Sequence, residues 1–295
     1  MEVSQKSTTP DTACPIRLIA TDLDGTLLRP DGSVSPRTIA ALQRVRGTGI
    51  VVVLVSARPP RVMRQIAQAA SIGGLALCCN GALLYDLDED TILQSTTILP
   101  AQTTWLINTL HAAIPDLHFA IEDGLSVTCD PGYYANFTHA NGENLRVSHS
   151  LSAHSEPVIK LMARHLTSTP EELHASMLSL VGVAYSVTYS GGPYLEIAMA
   201  SVNKASALAQ FCTQLAISAD EVIAFGDMPN DIPMLCWAGR GIAVANAHPL
   251  VLEAVSETTH SNAEDGVALV LEQLLAHLPD SEPTAAYTTR QHPMS

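Results

Sequence analysis

Residues 16–27 read IRLIATDLDGTL, and this stretch decides the fold. Its first half is a short apolar run, which is typical of a buried strand. Its second half places Asp22 and Asp24 beside Gly25, which indicates that the strand opens into a turn. The stretch therefore predicts a buried β-strand with two carboxylates at its C-terminal tip.

Strands and helices alternate in two parts of the sequence that are separated by a region of different pattern. Ser35 offers an N-cap and is followed by proline, which predicts a helix, and the β-branched run from Ile50 to Val55 predicts a strand covered on both faces. A further predicted helix and strand reach to about residue 85. The alternation resumes near the other end with a helix from Lys204, strands at 222–225 and 241–244, and a final helix from Gly266.

We infer an α/β fold with a doubly wound, Rossmann-like parallel sheet, because strand-helix-strand repeats of this kind connect parallel strands. The predicted core comprises residues 15–85 and 196–278. The pattern changes in residues 86–195, which predicts an inserted α/β domain. The polar ends, residues 1–14 and 279–295, are predicted to be flexible.

The chain of 295 residues is acidic, since 29 Asp and Glu against 15 Lys and Arg give a formal charge of −14. This charge repels nucleic acid and anionic membranes, so neither is expected as a partner. The sequence shows no secretory signal, no apolar run of the ~20 residues that span a bilayer, and no CxxC pair among its six cysteines. We expect a cytoplasmic protein with reduced thiols, and its oligomeric state is left open.

The candidate site lies at the carboxyl ends of the predicted parallel strands, where open sheets of this kind bind ligands. Carboxylates close together repel one another unless a cation neutralises them, and a set of oxygen ligands suits Mg²⁺. A lone aspartate at a strand end is more often a turn or cap residue, but four acids at two strand ends favour a magnesium site. The groups at these ends are Asp22, Asp24, Ser56, Asn80, and the segment 226–231 with Asp227 and Asp231.

Four motifs, in the same order along the chain, resemble those of the haloacid dehalogenase superfamily. DLDGTL at residues 22–27 is similar to the DxDGT motif, and Ser56 in SAR takes the place of the Ser/Thr motif. Lys204 resembles the third motif, and GDMPND at residues 226–231 resembles the GDxxND motif. The resemblance is to the Cof-type branch, subfamily IIB, which carries a C2-type α/β cap. Residues 86–195 are therefore the candidate cap.

The resemblance implies a Mg²⁺-dependent phosphatase that acts on small phosphorylated metabolites, such as sugar phosphates. Asp22 would be the nucleophile and would carry a phosphoaspartyl intermediate, and Asp24 would be the general acid and base. Ser56 and Lys204 complete the implied catalytic set, since they would contact the oxygens of the transferring phosphoryl group.

The resemblance also implies the residues that bind metal and substrate. An arginine just past a strand is commonly a surface residue, and an Asn-Gly pair is commonly only a turn, so plainer interpretations of these residues stay open. The implied metal site comprises Asp22, Asp24 through its backbone carbonyl, Asp227 and Asp231. The implied substrate-binding residues are Arg58, Asn80, Gly81 and Asn230.

Two other functions stay open at this point. Sugar phosphomutases of the same superfamily have a related cap, and they return the phosphoryl group to the sugar instead of releasing phosphate. A non-catalytic protein could keep the fold as a binding module, although Asp22, Asp24, Lys204 and Asp227 argue against this. The cap is expected to select the substrate, and the sequence does not identify the metabolite.

Overall fold

The computed structural model describes residues 16–136, 145–189 and 193–278. Both chain ends that were predicted to be flexible lie outside these residues. The helices of the described part are α1 Pro36–Gly47, α2 Pro60–Ala70, α3 Pro100–Ala113, α4 Pro131–Ala135, α5 Pro170–Val181, α6 Lys204–Gln214, α7 Ile232–Trp237, α8 Pro249–Ala254 and α9 Gly266–His277. Among these residues, no helix is both long enough and apolar enough to cross a bilayer.

The strands of the described part form two sheets. Those of the larger sheet are β1 Leu18–Thr21, β2 Val51–Val55, β3 Leu75–Cys78, β4 Leu83–Asp86, β5 Thr91–Ser95, β12 Val222–Gly226, β13 Arg240–Val244 and β14 Glu257–Thr259. Those of the smaller sheet are β6 Leu117–Glu122, β7 Val127–Cys129, β8 Leu145–Val147, β9 Lys160–His165, β10 Tyr185–Thr188 and β11 Leu195–Met199.

The larger sheet has the strand order β14-β13-β12-β1-β2-β3-β4-β5. Its strands are parallel from β14 to β3, and β1 lies between β12 and β2. Ala20 in β1 aligns with Ala224 on one side and with Val53 on the other. The predicted α/β fold is confirmed, and β1 is a central strand.

Helices cover both faces of this sheet, as a doubly wound fold requires. On one face, α1, α2 and α9 bury residues such as Leu42, Met63 and Leu271 against the sheet. On the other face, α6, α7 and α8 bury residues such as Leu208 and Leu235. The strand tips are therefore the part of the sheet that stays open for a ligand.

The smaller sheet has the order β10-β11-β9-β6-β7-β8 and is antiparallel except between β7 and β8. Side chains alternate between its two faces. Leu161 and Ala163 of β9 pack in the apolar cluster under α3 and α5. Lys160 and Met162 of the same strand point to the opposite face, where Lys160 Nζ donates to the backbone carbonyl of Ala57 at 3.5 Å. This second face therefore meets the core.

At both junctions, one strand belongs to a different sheet from the one that the predicted boundaries of 86 and 195 imply. The strand β5 was included in the insertion, but it pairs with β4 as an antiparallel hairpin at the edge of the larger sheet. The strand β11 was included mostly in the core, but it lies between β10 and β9 in the smaller sheet. The partner of a strand depends on the tertiary fold, and short apolar runs do not encode it locally. We therefore place the inserted unit between β5 and α6.

Candidate active site

Two buried aspartates lie at the C-terminal edge of the larger sheet because two neighbouring strands end there. Asp22 follows β1, and its backbone N–H donates to the carbonyl of Phe225 in β12 at 3.0 Å. Asp227 directly follows β12. Since β1 and β12 are parallel, their carboxyl ends meet at the same edge and bring the two side chains together.

Asp231 joins these two residues at the end of a short 3₁₀ turn, Pro229–Asp231. Its Oδ2 accepts hydrogen bonds from the backbone N–H groups of Asp227 at 3.1 Å and Met228 at 2.9 Å. One carboxylate oxygen each from Asp22, Asp227 and Asp231 lies within 4.8 Å of the other two. The turn therefore holds Asp231 against the strand tips, and the three residues form a carboxylate cluster.

Lys204 supplies the positive charge inside this cluster. It is the first residue of α6, whose N-cap Asn203 accepts a hydrogen bond from the backbone of Ser206. Lys204 Nζ lies 2.6 Å from Asp22 Oδ1 and 2.5 Å from Asp231 Oδ1, and only 2% of its side chain is exposed. A lysine at the start of a helix usually faces solvent, so this burial is a product of the tertiary structure.

Burial and charge shift the pKa values of the cluster. Burial raises the pKa of Asp22 well above its usual range, and Lys204 opposes this effect. Burial, and then the charge of Asp231, raise the pKa of Asp227 to about 6. For Lys204, burial lowers the pKa, but the charges of Asp22 and Asp231 raise it more, so the net shift is upward. The lysine therefore stays charged, and the carboxylates favour a further cation.

The donor set fits Mg²⁺. Asp22 Oδ1 is used by Lys204, and Asp227 Oδ1 accepts a hydrogen bond from the Thr26 hydroxyl at 3.0 Å. Within the described part of the chain, the second oxygens of Asp22 and Asp227 have no hydrogen-bond partner. Hard oxygen atoms of this kind are the ligands that Mg²⁺ prefers. Asp22 and Asp227 can therefore hold the ion, with Asp231 orienting the Asp227 backbone.

Gly25 permits the close approach between the first and last motifs. Its φ is +78°, and a Cβ built at this position would lie 2.2 Å from Asp227 Oδ2. Any side chain here would strain the backbone and displace Asp227. Asn246 also contacts this turn, since its amide donates to the Gly25 carbonyl at 2.8 Å. The conformation of the turn is therefore coupled to the carboxylate cluster.

The Asp24 carboxylate lies apart from the cluster. It accepts two hydrogen bonds from Arg58, at 2.6 Å from Nε and 2.5 Å from Nη2, and 51% of its side chain is exposed. The metal ligand implied for Asp24 is its backbone carbonyl. The orientation of its side chain does not test that prediction. Arg58 fixes the orientation of this half-exposed carboxylate, and solvent can reach it.

The remaining predicted residues line the same sheet edge. The backbone carbonyl of Ser56 accepts a hydrogen bond from Asn80 N at 2.9 Å. The Asn80 side chain accepts from the Asn230 amide at 3.2 Å. Gly81 has φ +93°, and a Cβ there would lie 2.3 Å from Ala207 Cβ, so this glycine lets the loop pack on α6. Packing explains the glycine at this position, and its predicted contact with substrate remains a prediction.

Sequence reasoning missed two charged residues that the structure places beside these loops. Lys160 of β9 and Glu196 of β11 form a buried ion pair, and Glu196 lies 3.5 Å from the Asn80 amide. Glu196 is the one charged residue of β11, and Lys160 lies between the apolar residues Ile159 and Leu161. Charged residues are seldom buried unless they are paired, so this pattern is the signal that could have identified them.

The fold and the site define an α/β enzyme whose candidate reacting groups are carboxylates and a lysine. The chain belongs to the haloacid dehalogenase-like hydrolases, whose family model matches residues 19–271. It is similar to the pyridoxal phosphate phosphatase of Escherichia coli K12, with 29% identity over 272 residues that cover 85% of this chain and 96% of that protein.

Two further similarities agree with this family. A 5-amino-6-(5-phospho-D-ribitylamino)uracil phosphatase of Bacillus subtilis 168 is 27% identical over 272 residues, which cover 87% of this chain and 96% of that protein. The crystal structure of a protein from Streptococcus mutans UA159 superposes with a TM-score of 0.76 at 25% identity, covering 88% of this chain and 99% of that one. The similarity therefore extends over both sheets.

Proposed function

We propose that this chain is a Mg²⁺-dependent phosphatase that hydrolyses small phosphate monoesters through a covalent phosphoryl group on Asp22. The observation that carries the proposal is the carboxylate cluster bridged by Lys204 at the C-terminal edge of the sheet. Relatives that are named as phosphatases, including one for pyridoxal phosphate, support the substrate class. The thiols and the acidic composition support a cytoplasmic location.

In the first step, an oxygen of the Asp22 carboxylate attacks the phosphorus of the ester. A bond forms between Asp22 and phosphorus, and the bond from phosphorus to the leaving oxygen breaks. Asp24, which leaves its pair with Arg58 and takes up a proton from solvent before the reaction, gives that proton to the leaving oxygen, so the product leaves as a neutral alcohol. Lys204 holds Asp22 in position and, with the Ser56 hydroxyl, offsets charge on the phosphoryl oxygens.

In the second step, water attacks the same phosphorus. Asp24, now ionised, takes a proton from the water, the bond between Asp22 and phosphorus breaks, and inorganic phosphate is released. Both residues return to their starting forms. Asp22 and Asp227, with the Asp24 carbonyl, would hold Mg²⁺, which when bound offsets the repulsion between the Asp22 carboxylate and the anionic ester.

Phosphate release from a panel of phosphorylated metabolites tests this proposal. We expect release that requires Mg²⁺, is abolished by EDTA, and falls at least about 10³-fold in Asp22→Asn, because an amide is a poor nucleophile. Asp220→Asn is a matched control, since Asp220 is exposed and lies just before β12, at the edge of the sheet opposite to the cluster. Full activity in Asp22→Asn would refute the proposal. Transfer between sugar positions without phosphate release would identify a phosphomutase, and ligand binding without turnover a binding module.

The role of Asp24 can be tested separately by changing the leaving group of the ester. Asp24→Asn should lose about 10²–10⁴-fold on an alkyl phosphate, whose leaving oxygen needs a proton. It should lose much less in the first step with p-nitrophenyl phosphate, whose leaving group departs as an anion. Burst kinetics with the aryl ester would separate the two steps. Equal losses of the first step on both esters would exclude Asp24 as the acid.

A further inference from the structure

The ion pair between Lys160 and Glu196 lies where the smaller sheet meets the core. The two side chains are 8% and 3% exposed. Glu196 of β11 aligns with Met162 of β9, so it reaches Lys160 diagonally across neighbouring strands. Burial lowers the pKa of Lys160, but the charge of Glu196 raises it more, and the net shift is upward. The lysine is therefore a buried, charged group.

A buried ion pair is a poor device for stability alone. Removing two charges from water costs several kcal/mol per ion, and well-packed apolar residues of similar volume often stabilise a protein at least as well. What an ion pair adds is a fixed orientation for the polar groups that contact it. The contacts of Lys160 and Glu196 therefore indicate what the pair orients.

Those contacts lead from the smaller sheet into the loops of the candidate active site. Lys160 Nζ lies 3.5 Å from the carbonyl of Ala57, next to Ser56. Glu196 Oε2 lies 3.5 Å from the Asn80 amide nitrogen. These distances are at the outer limit of a hydrogen bond, and catalytic contacts commonly shorten when a substrate closes the site. The pair thus contacts two loops of the core at once.

Asn80 is the link between this pair and the carboxylate cluster. Its amide nitrogen faces Glu196, and its amide oxygen accepts from Asn230 at 3.2 Å. Asn230 immediately precedes Asp231, which holds Lys204. A series of polar contacts therefore connects the smaller sheet with Lys204, the residue that holds Asp22.

The backbone of the Asn80 loop requires external support. Cys79 and Asn80 have φ values of +52° and +56°, and both are non-glycine residues in the left-handed region. This conformation costs about 1–3 kcal/mol for a residue such as Cys79 and less for asparagine, and it persists when the surroundings hold it. The backbone N–H groups of Cys79 and Asn80 donate to the carbonyls of Arg58 and Ser56, and the Asn80 side chain adds contacts with Glu196 and Asn230.

We propose that Glu196, held by Lys160, is a positioning residue for the phosphatase reaction. It orients the Asn80 amide, and through Asn230 it aligns the loop that carries Asp231 and Lys204 when the cap is seated on the core. This inference rests on the proposed function. If it is correct, the position of the cap affects the alignment of catalytic groups with which the cap makes no direct contact.

The main test compares Glu196→Gln with Glu122→Gln. Glu122 of β6 is also buried and forms an ion pair with Arg61 of α2, within the described residues. Loss of an orienting partner typically lowers activity about 10–100-fold. Glu196→Gln should lower kcat by this amount with little change in KM, because the loss concerns alignment of the reacting groups. Glu122→Gln should lower stability but leave kcat within about 3-fold.

Glu196→Gln leaves Lys160 buried without a charged partner, and this variant could fail to fold. A double variant avoids that problem. Lys160→Met combined with Glu196→Leu leaves no buried charge, so its Tm should be close to that of the wild type. Its kcat should remain low, since Asn80 has lost its partner. If the pair serves stability only, turnover recovers together with Tm, and the proposal is overturned.

Hydrogen exchange gives a readout that does not depend on activity. The backbone N–H of Asn80 donates to Ser56, and that of Cys79 donates to Arg58. Both amides should exchange faster in Glu196→Gln and in the double variant than in Glu122→Gln. Exchange at Cys79 and Asn80 and a kcat that are unchanged from the wild type in Glu196→Gln would overturn the positioning role. A wild type that hydrolyses no phosphate ester would instead refute the proposed function, and unchanged exchange at Asn80 would then still refute the positioning role.

Discussion

At the scale of single residues, Lys204 is the group on which the carboxylate cluster depends. It bridges Asp22 and Asp231, and all three side chains are buried. Lys204→Met leaves these carboxylates without their cation, which for a buried pair costs about 3–5 kcal/mol. We expect a clearly lower Tm in thermal melts without Mg²⁺.

An exposed ion pair provides the control for this substitution. Arg240 and Glu257 are paired with 41% of each side chain exposed. Solvent screens such a pair, so Arg240→Met should change stability by no more than about 1 kcal/mol. A Lys204→Met protein as stable as Arg240→Met would contradict the view that the buried charges depend on the lysine.

The cysteines give a second prediction at this scale. Burial raises the pKa of Cys79 to about 12 and those of Cys129 and Cys212 to about 11. A raised pKa keeps a thiol protonated and unreactive well above neutral pH. Cys78 is also buried, whereas Cys236 is exposed. Among these five residues, only Cys236 should react quickly with iodoacetamide between pH 7 and pH 9.

Peptide mass spectrometry after timed labelling would measure this difference. In denaturant, all five thiols should be labelled, which controls for peptide recovery. Rapid labelling of Cys79 in the folded protein would show that the loop before Asn80 opens readily. That result would conflict with the close packing around it.

At the scale of elements, the contact between β13 and α7 leaves no space for a side chain. A Cβ at Gly241 would lie 2.1 Å from the backbone carbonyl oxygen of Leu235 in α7. The backbone has to move to relieve this clash, which typically costs 1–3 kcal/mol or more. We expect Gly241→Ala to lower the midpoint of urea unfolding by a corresponding amount.

Gly47 at the end of α1 is the matched position. A Cβ there has nothing within 4 Å. Gly47→Ala should be neutral or stabilising by up to about 1 kcal/mol, since alanine favours the helix. If both alanine variants unfold at the same urea concentration, α7 adjusts more easily than its packing indicates.

At the scale of the whole molecule, metal binding should stabilise the folded chain. A ligand at 100 times its Kd adds about 2.7 kcal/mol if it binds only the folded state. For a chain of 295 residues, that corresponds to a Tm increase of about 4 °C. Differential scanning calorimetry in saturating Mg²⁺ and in EDTA at matched ionic strength would measure this increase.

Asp227→Asn removes one of the two carboxylates that are available to the ion, so most of the increase should disappear in this variant. A variant that retains the full increase would place the metal elsewhere. This measurement tests the metal site separately from catalysis, because it requires no substrate.

Several features follow from the sequence alone, because local patterns determine them. The apolar run 16–20 predicts β1, and the run 50–55 predicts β2, since β-branched residues favour strands that are buried on both faces. The turn at Asp22–Gly25 follows from the residues that occupy it. Parallel strands then require their tips to share one edge, so the proximity of Asp22 and Asp227 could be predicted before any coordinates.

Only the tertiary structure decided the contacts between distant segments. It placed β5 in the larger sheet and β11 in the smaller one, because a short strand pairs with whichever edge the fold presents. It buried Lys204 between two aspartates, turned the Asp24 carboxylate toward Arg58, and paired Lys160 with Glu196. A charged side chain is buried only where a distant partner compensates for lost hydration, and that partner is not encoded in the neighbouring sequence.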